Sequence, residues 1–172
     1  MDARTSNASR ISAHLLGIYD QANDLRFAKY FSKSGSNYVS VKGNSNALKI
    51  TFRNGEMYLI AAEAALQTGD KGLALQRLLA LKTKRLKPAY YQTEQTRISA
   101  LNNADLMKEI LTERERELAI EGHRWYDLRR YEQPQLIHTV EGTSYTLQKN
   151  DPRYTLRFPK EAVTNNPDLQ QQ

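Results

Sequence analysis

The sequence contains no cysteine. Disulfides, a thiolate nucleophile and any cysteine-ligated metal are therefore excluded, although the absence does not fix the compartment. Histidine is scarce, with three in 172 residues, and none stands in a His-x-x-His or His-Glu-x-x-His arrangement, so a helical metal site has no starting point. There is no Gly-x-Ser-x-Gly turn to strain a serine nucleophile and no glycine-rich loop to cradle a phosphate. No apolar run approaches the length that crosses a bilayer, and no signal peptide is read at Met1.

What is present is an ordinary globular composition, 40% hydrophobic and 26% charged, in a chain long enough for one domain with a core. The aromatic set is weighted towards tyrosine, with ten Tyr against four Phe and one Trp. Tyrosine is amphipathic and suits contact with sugars or proteins. A net charge of +6 admits a nucleic-acid partner, which would show as steeply salt-dependent binding. Against it, the Lys and Arg residues mostly alternate with Asp and Glu. The densest basic run, "KTKRLK" (Lys82 to Lys87), reads as a solvated helix end with cations near its C-terminus.

The chain reads in parts. Residues 1–46 combine a short helix, with Ile11, Leu15 and Ile18 at helical spacing, and an irregular Ser/Gly/Asn-rich stretch of loop or weak strand. Residues 48–88 form a helical hairpin: an Ala/Leu-rich helix, a "TGD" break, a second helix and a closing Pro88. Gly69 supplies a left-handed turn and Asp70 caps the second helix. This unit resembles a tetratricopeptide repeat, which normally needs stacked neighbours. Residues 103–131 are helical, capped by Asn103 or Asp105, with a stripe of Met107, Leu111, Arg114, Leu118, Glu121, Trp125 and Leu128 at alternating steps of four and three, and a bend at Gly122. Residues 145–159 read as a β-hairpin about an "NDP" turn, with Tyr145 and Leu147 before it and Tyr154, Leu156 and Phe158 after it. Residues 160–172 form a polar, extended tail. The expected fold is mainly α, with tetratricopeptide-like helical hairpins in an α-α superhelix and a small C-terminal β-hairpin.

The densest cluster of functional groups is "ERERELAIEGHRWYDLRR", Glu113 to Arg130. Glu117 and Glu121 lie one helical turn apart and could form an acid/base pair. Arg114, Arg116 and Arg124 within a turn of them favour ionised, paired carboxylates instead. Arg114 and Glu121 fall on the stripe expected to be buried, so each needs a partner there. The expectation is a structural charge network of Arg114, Glu117, Glu121 and Arg124, with His123 hydrogen-bonded in the helix junction and Trp125 in the core. No metal, cofactor or catalytic residue is expected.

The stretch "ERERELAIEGHRWYDLRRY" closely resembles the signature helix of the SusD/RagB family. "IYDQANDLRFAKYF", "FRNGEMYLIAAEAALQTGD" and "RYTLRFPKEAVTNNPDLQQ" match further segments of that family in order. The resemblance covers nearly the whole chain but only the C-terminal portion of a typical member, which implies a piece of a longer protein. It further implies a non-enzymatic outer-membrane protein of the Bacteroidetes cell surface. Such a protein captures an oligosaccharide or other nutrient and delivers it to a TonB-dependent, SusC-like transporter. It reaches the membrane only through an N-terminal lipid anchor that this chain does not carry, and it has no nucleic-acid partner. For glycan contact the candidates are Tyr90 and Tyr91, expected in a loop after Pro88 beside Gln92, Glu94 and Arg97, and Tyr38. The same tyrosines would equally serve as a latch that packs the loop down. An alternative function is a tetratricopeptide-like scaffold binding peptides beside Met57 to Leu81.

Overall fold

The structure, a computed structural model, describes residues 10–43, 53–140, 142–166 and 168–169. The expected start of the helical hairpin at 48–52, residues 1–9 and 44–46 of the lead-in, and residues 167 and 170–172 of the tail lie outside the described residues. The chain divides into two compact units, residues 1–124 and 125–172.

The first unit opens with α1 (Ala13–Gly17), whose N-terminus is capped by Ser12 accepting from the Leu15 N–H. A single turn, α2 (Phe27–Tyr30), leads into an antiparallel hairpin of β1 (Phe31–Ser34) and β2 (Asn37–Ser40), with Phe31 opposite Ser40 and Lys33 opposite Tyr38. This register puts Phe31 and Tyr38 on one face. There they join Tyr19, Phe27 and Tyr30 in an aromatic cluster, with the Tyr19–Phe31 and Phe27–Tyr38 ring centroids each 5.4 Å apart. That packing decides for strand in a segment whose composition allowed either loop or weak strand. Backbone hydrogen bonds from Leu25 N–H to the Arg85 carbonyl (2.8 Å) and from Lys87 N–H to the Asn23 carbonyl (3.0 Å) then staple this N-terminal part to the helical part.

The helical hairpin is α3 (Asn54–Gln67) and α4 (Lys71–Lys82). Gly69 lies in the left-handed region at φ 88°, and the Asp70 carboxylate accepts from the Leu73 N–H at 2.8 Å, as the "TGD" reading expected. Ala62, Ala65 and Ala74 are buried where the helices approach, and Leu59, Leu66, Leu78 and Leu81 fill the space around them. Each fully buried leucine contributes roughly 1.5–3 kcal/mol relative to exposure.

Pro88 does not close the hairpin. It opens a further helix, α5 (Pro88–Ser99), at a first-turn position where its fixed φ and missing N–H cost nothing. Tyr90 and Tyr91 therefore sit on a helix, not in a loop.

The cap of α6 (Asn103–Glu117) is Asn102, whose side chain accepts from the Asp105 N–H, rather than Asn103 or Asp105. Its buried face centres on Leu106, Ile110, Glu113 and Glu117, about 100° round from Met107 and Leu111, which are only partly buried, although Arg114 and Leu118 of the expected stripe are buried too. Apolar residues come in adjacent pairs here, so periodicity alone could not choose between the faces. The carboxylates decide, because their partners lie inside. Gly122, at φ 82°, does not bend a continuing helix; α6 has already ended, and Ile120 (φ 66°) and Gly122 turn the chain.

In the second unit, α7 (Arg124–Arg130) is followed by an antiparallel hairpin of β3 (Leu136–Val140) and β4 (Thr143–Leu147), turning through Gly142. The hairpin expected over 145–159 is thus displaced towards the N-terminus. Asp151 caps a single 3-10 turn, Pro152–Tyr154, by accepting from the Arg153 N–H. Pro152 has no N–H to give a ladder, and Leu156 and Phe158 are 73% and 46% exposed outside any strand. Tyr154 turns inward, donates its hydroxyl to the Pro134 carbonyl and stacks on Trp125 at 5.2 Å. The tail is not fully extended either, because Lys160–Asn165 forms α8.

Gly55, in the first turn of α3, has no room for a side chain: a Cβ there would lie 2.5 Å from Glu117 Oε1. Gly55→Ala should lower unfolding stability by about 1–3 kcal/mol through this clash, read as a shift of the urea midpoint. A midpoint equal to wild type would show that α3 and Glu117 do not pack this closely.

Candidate ligand site

Glu113 and Glu117 are both 0% exposed, one turn apart on the inner face of α6. Arg26, itself buried, reaches both: its Nη1 lies 2.7 Å from Glu113 Oε1 and donates to Glu117 Oε2 at 2.9 Å. Its remaining N–H groups clamp Asp24 through Nε (3.0 Å) and Nη2 (2.7 Å). Arg85 grips Glu117 with two parallel bonds of 2.8 Å, the planar fork geometry that suits carboxylates. Lys82 and Arg116 complete Glu113 at 3.4 and 3.0 Å. Burial would raise the pKa of each carboxyl. The Arg26, Lys82 and Arg116 charges outweigh that for Glu113, and for Glu117 the Arg85 hydrogen bonds and the Arg26 charge do so, holding both below the usual carboxylate range. Glu109 follows the same balance, burial opposed by Lys82, Arg97 and Arg116, and is lowered to about 2. These carboxylates are held ionised rather than poised to exchange a proton.

A second set of cations closes the C-terminus of α6. Lys42 Nζ donates to the carbonyls of Glu117 (3.1 Å) and Ala119 (2.8 Å), lies 2.5 Å from Glu121 Oε1 and sits over the Tyr30 ring at 4.1 Å. Arg53 Nη2 donates at 2.6 Å both to the Glu117 carbonyl and to Glu121 Oε1. Cations are favoured at this end of a helix, where carbonyls are left unpaired. Glu121 thus finds its partners on neighbouring elements. Arg114 is buried, whereas Arg124 pairs with Glu115 at 3.2 Å on the outside. His123 lies 3.7 Å from Glu56, beyond hydrogen-bond distance. Sequence reasoning missed Asp24, Arg26, Lys42, Arg53, Lys82 and Arg85. Asp24, Arg26 and Arg53 left a trace in "NDLRF" and "FRNG", which recur in the family segments, whereas Lys82 and Arg85 were expected on a solvated helix end and instead turn inward, Lys82 being 2% exposed and Arg85 gripping Glu117.

Beside this network is a pocket of about 310 Å³, lined by residues that include Tyr19, Asp20, Lys82, Tyr90, Glu94 and Arg97. Tyr90 is half-buried and hydrogen-bonds the Asp20 carboxylate. Of the other tyrosine candidates, Tyr91 is on α5 outside the pocket lining, and Tyr38 belongs to the aromatic cluster. Arg97 holds Glu94 with two bonds of 2.8 Å and Glu109 with one of 2.7 Å. No group of three His, Asp or Glu side chains among the described residues is arranged to hold a metal ion. Arg26, Arg53, Lys82, Arg85, Arg97 and Arg116 are committed to carboxylates, so these six are not available for a phosphate backbone.

The SusD family model (SusD_RagB) matches residues 20–172, and the chain belongs to that family. The chain is 32% identical over 109 residues to the SusD-like protein P38 of Formosa agariphila, an alignment covering 63% of this chain and 21% of that protein. Among solved structures, it is similar to a candidate sugar-binding protein of Bacteroides vulgatus, with a TM-score of 0.63 and 24% identity over 94% of this chain and 38% of the other. A SusD-like protein of Bacteroides fragilis gives a TM-score of 0.50 and 22% identity over 81% and 27% of the two chains. The chain therefore spans about a fifth of the curated relative and well under half of either structure.

Two outcomes follow from the network. Unfolded glutamates titrate near 4.5 and folded Glu109 near 2, with Glu113 and Glu117 also depressed. A depressed folded pKa gives stability that is complete above the unfolded value and lost as pH falls through the folded one. The melting temperature should hold above about pH 5 and fall steeply from there towards pH 2; a flat profile down to pH 3 would contradict the pairing. Removing one partner of a buried set leaves the others uncompensated, so Arg26→Met should cost about 3–5 kcal/mol. Glu121→Ala should also lower the melting temperature clearly, whereas Arg124→Ala, which removes a guanidinium 43% exposed to solvent, should change stability by less than about 1 kcal/mol. Equal effects of the Arg26 and Arg124 substitutions in thermal melts would refute this division.

Proposed function

We propose that this protein is a non-catalytic binder that captures an oligosaccharide or related nutrient at the bacterial cell surface and delivers it to a TonB-dependent, SusC-like outer-membrane transporter. In this reading the chain corresponds to the C-terminal domain of a SusD-like protein held at the outer membrane by an N-terminal lipid. The observation that carries it is the family match over residues 20–172. The sugar-binding description of the Bacteroides vulgatus neighbour points the same way. The ionised, fully partnered carboxylates of α6 support binding over acid/base chemistry. Tyr90 contributes an aromatic face at a polar pocket; flat aromatic faces suit sugar rings.

A scaffold that binds peptides is favoured by one feature, the exposed Tyr58 and Ile60 on α3 with Leu73 on α4. The two readings separate in one experiment. The protein titrated calorimetrically against a panel of plant, algal and host oligosaccharides should bind at least one, and Tyr90→Ala combined with Tyr91→Ala should weaken that binding. Peptide binding lost on Ile60→Ser, with no oligosaccharide bound, would favour the scaffold.

A further inference from the structure

The cations lining the pocket beside α6 are all committed to carboxylates. Lys82 carries three N–H donors and has three carboxylate neighbours, Glu109 at 2.9 Å, Glu113 at 3.4 Å and Glu94 at 3.5 Å. Arg97 is taken up by Glu94 and Glu109. Arg116 gives Nε to the Ile18 carbonyl at 2.5 Å and Nη1 to Glu109 and Glu113. The lining carboxylates number four (Asp20, Asp24, Glu94, Glu113) against the three cations, a small negative excess. The carboxylates are equally occupied: Glu94 by Arg97, and Asp20 by the Ala22 and Asn23 N–H groups and the Tyr90 hydroxyl.

What remains is hydrogen-bonding capacity of both kinds. Among the described residues, no hydrogen bond is made by Nη1 of Arg97 or Nη2 of Arg116. The Asp20 and Glu94 oxygens and the Tyr90 phenol retain lone pairs that can accept. Such a surface meets a polyol well, because each hydroxyl both donates and accepts and brings no charge to neutralise. A uronate or sulfate would need a cation that is already neutralised, and it would face Asp20 and Glu94. Glu94 and Glu113 face cations of their own, whereas Asp20 is held by N–H groups and the Tyr90 hydroxyl, so the exclusion applies to anionic sugars. The volume, about 310 Å³, is at the low end of the range of about 300–1,000 Å³ for small-molecule pockets, enough for the end of a glycan chain rather than its length.

We propose that this pocket binds the uncharged terminus of an oligosaccharide, with the Tyr90 ring against a sugar face and Asp20, Glu94, Arg97 and Arg116 on its hydroxyls, and that it discriminates against glycans bearing uronate or sulfate groups. The proposal rests on the capture function above and specifies its substrate class.

The test is calorimetry on the 172-residue chain with length-matched hexamers: neutral α-glucan, β-glucan, β-mannan and β-xylan, set against polygalacturonate, sulfated galactan and chitosan. At least one neutral hexamer should bind, with a Kd unchanged between about 20 and about 200 mM salt, since no net charge is brought together. Tyr90→Ala should weaken it by about threefold to tenfold through loss of the aromatic face, and Tyr90→Phe by less. Glu94→Gln, which removes one of the two carboxylates on Arg97 and one negative charge from the pocket wall, should narrow the gap between neutral and uronate hexamers. Circular dichroism melts show that each variant is folded. If a charged hexamer binds best and Tyr90→Ala abolishes it, the neutral class is wrong while glycan capture stands. If a neutral hexamer binds and neither Tyr90 variant affects it, the pocket is wrong while glycan capture stands. If no hexamer binds, both fail.

Discussion

The carboxylate of Glu117 is completely removed from water, and three arginines from three different parts of the chain converge on it: Arg26 ahead of α2, Arg53 ahead of α3 and Arg85 after α4. An isolated buried carboxylate is too costly to persist as an ion. The fold of the first unit is therefore constrained to bring those arginines to this one point. Gly55 is glycine because α3 passes directly over Glu117. The Asp24–Leu86 bridge pins Arg26 and Arg85 to the same side of α6. Buried ion pairs are weak as a source of net stability, since apolar residues of equal volume often do as well. They impose a register nonetheless. A turn's slip of α6 would move Glu117 out of the Arg85 fork and leave buried guanidinium groups without partners.

The same arrangement shapes the pocket. Lys82, Glu113 and Arg116 belong at once to the interior of the network and to the pocket wall, so the polar groups that a ligand would meet are held by neighbours that cannot move without exposing a charge to the interior. Such a wall is preorganised, which lowers the ordering cost of binding. It also explains why a segment so rich in ionisable groups carries no sign of proton transfer. Glu113 and Glu117 are kept ionised by cations placed against them, and a group held in this way is a poor acid and a poor base at neutral pH.

Much of the architecture could be read from residue pattern because local rules govern it. Gly69 and Asp70 announce the α3–α4 turn through left-handed backbone preference and capping, and the Ala/Leu alternation announces two closely packed helices. The signature stretch marks the SusD family from its residues alone. Where the reading failed, two local rules competed. Pro88 ends one helix as readily as it begins the next. "NDP" suggests a hairpin turn as well as a capped 3-10 turn, and it drew the hairpin away from Leu136–Val140, whose own turn is marked only by Gly142.

The sequence by itself determined the helical class, the hairpin unit, the family and the presence of buried charge near Glu113 to Glu121, because these depend on spacing within one segment and on a long, unusual motif. Only the tertiary structure decided which face of α6 is inside, that Arg26, Arg53, Lys42, Lys82 and Arg85 are the partners, and that Tyr90 rather than Tyr91 or Tyr38 faces a pocket. The physical reason is range. Capping and periodicity act over a few residues, whereas the partner of Glu117 at Arg26 lies 91 positions away in sequence, and such a pairing is specified by the packing of the whole unit.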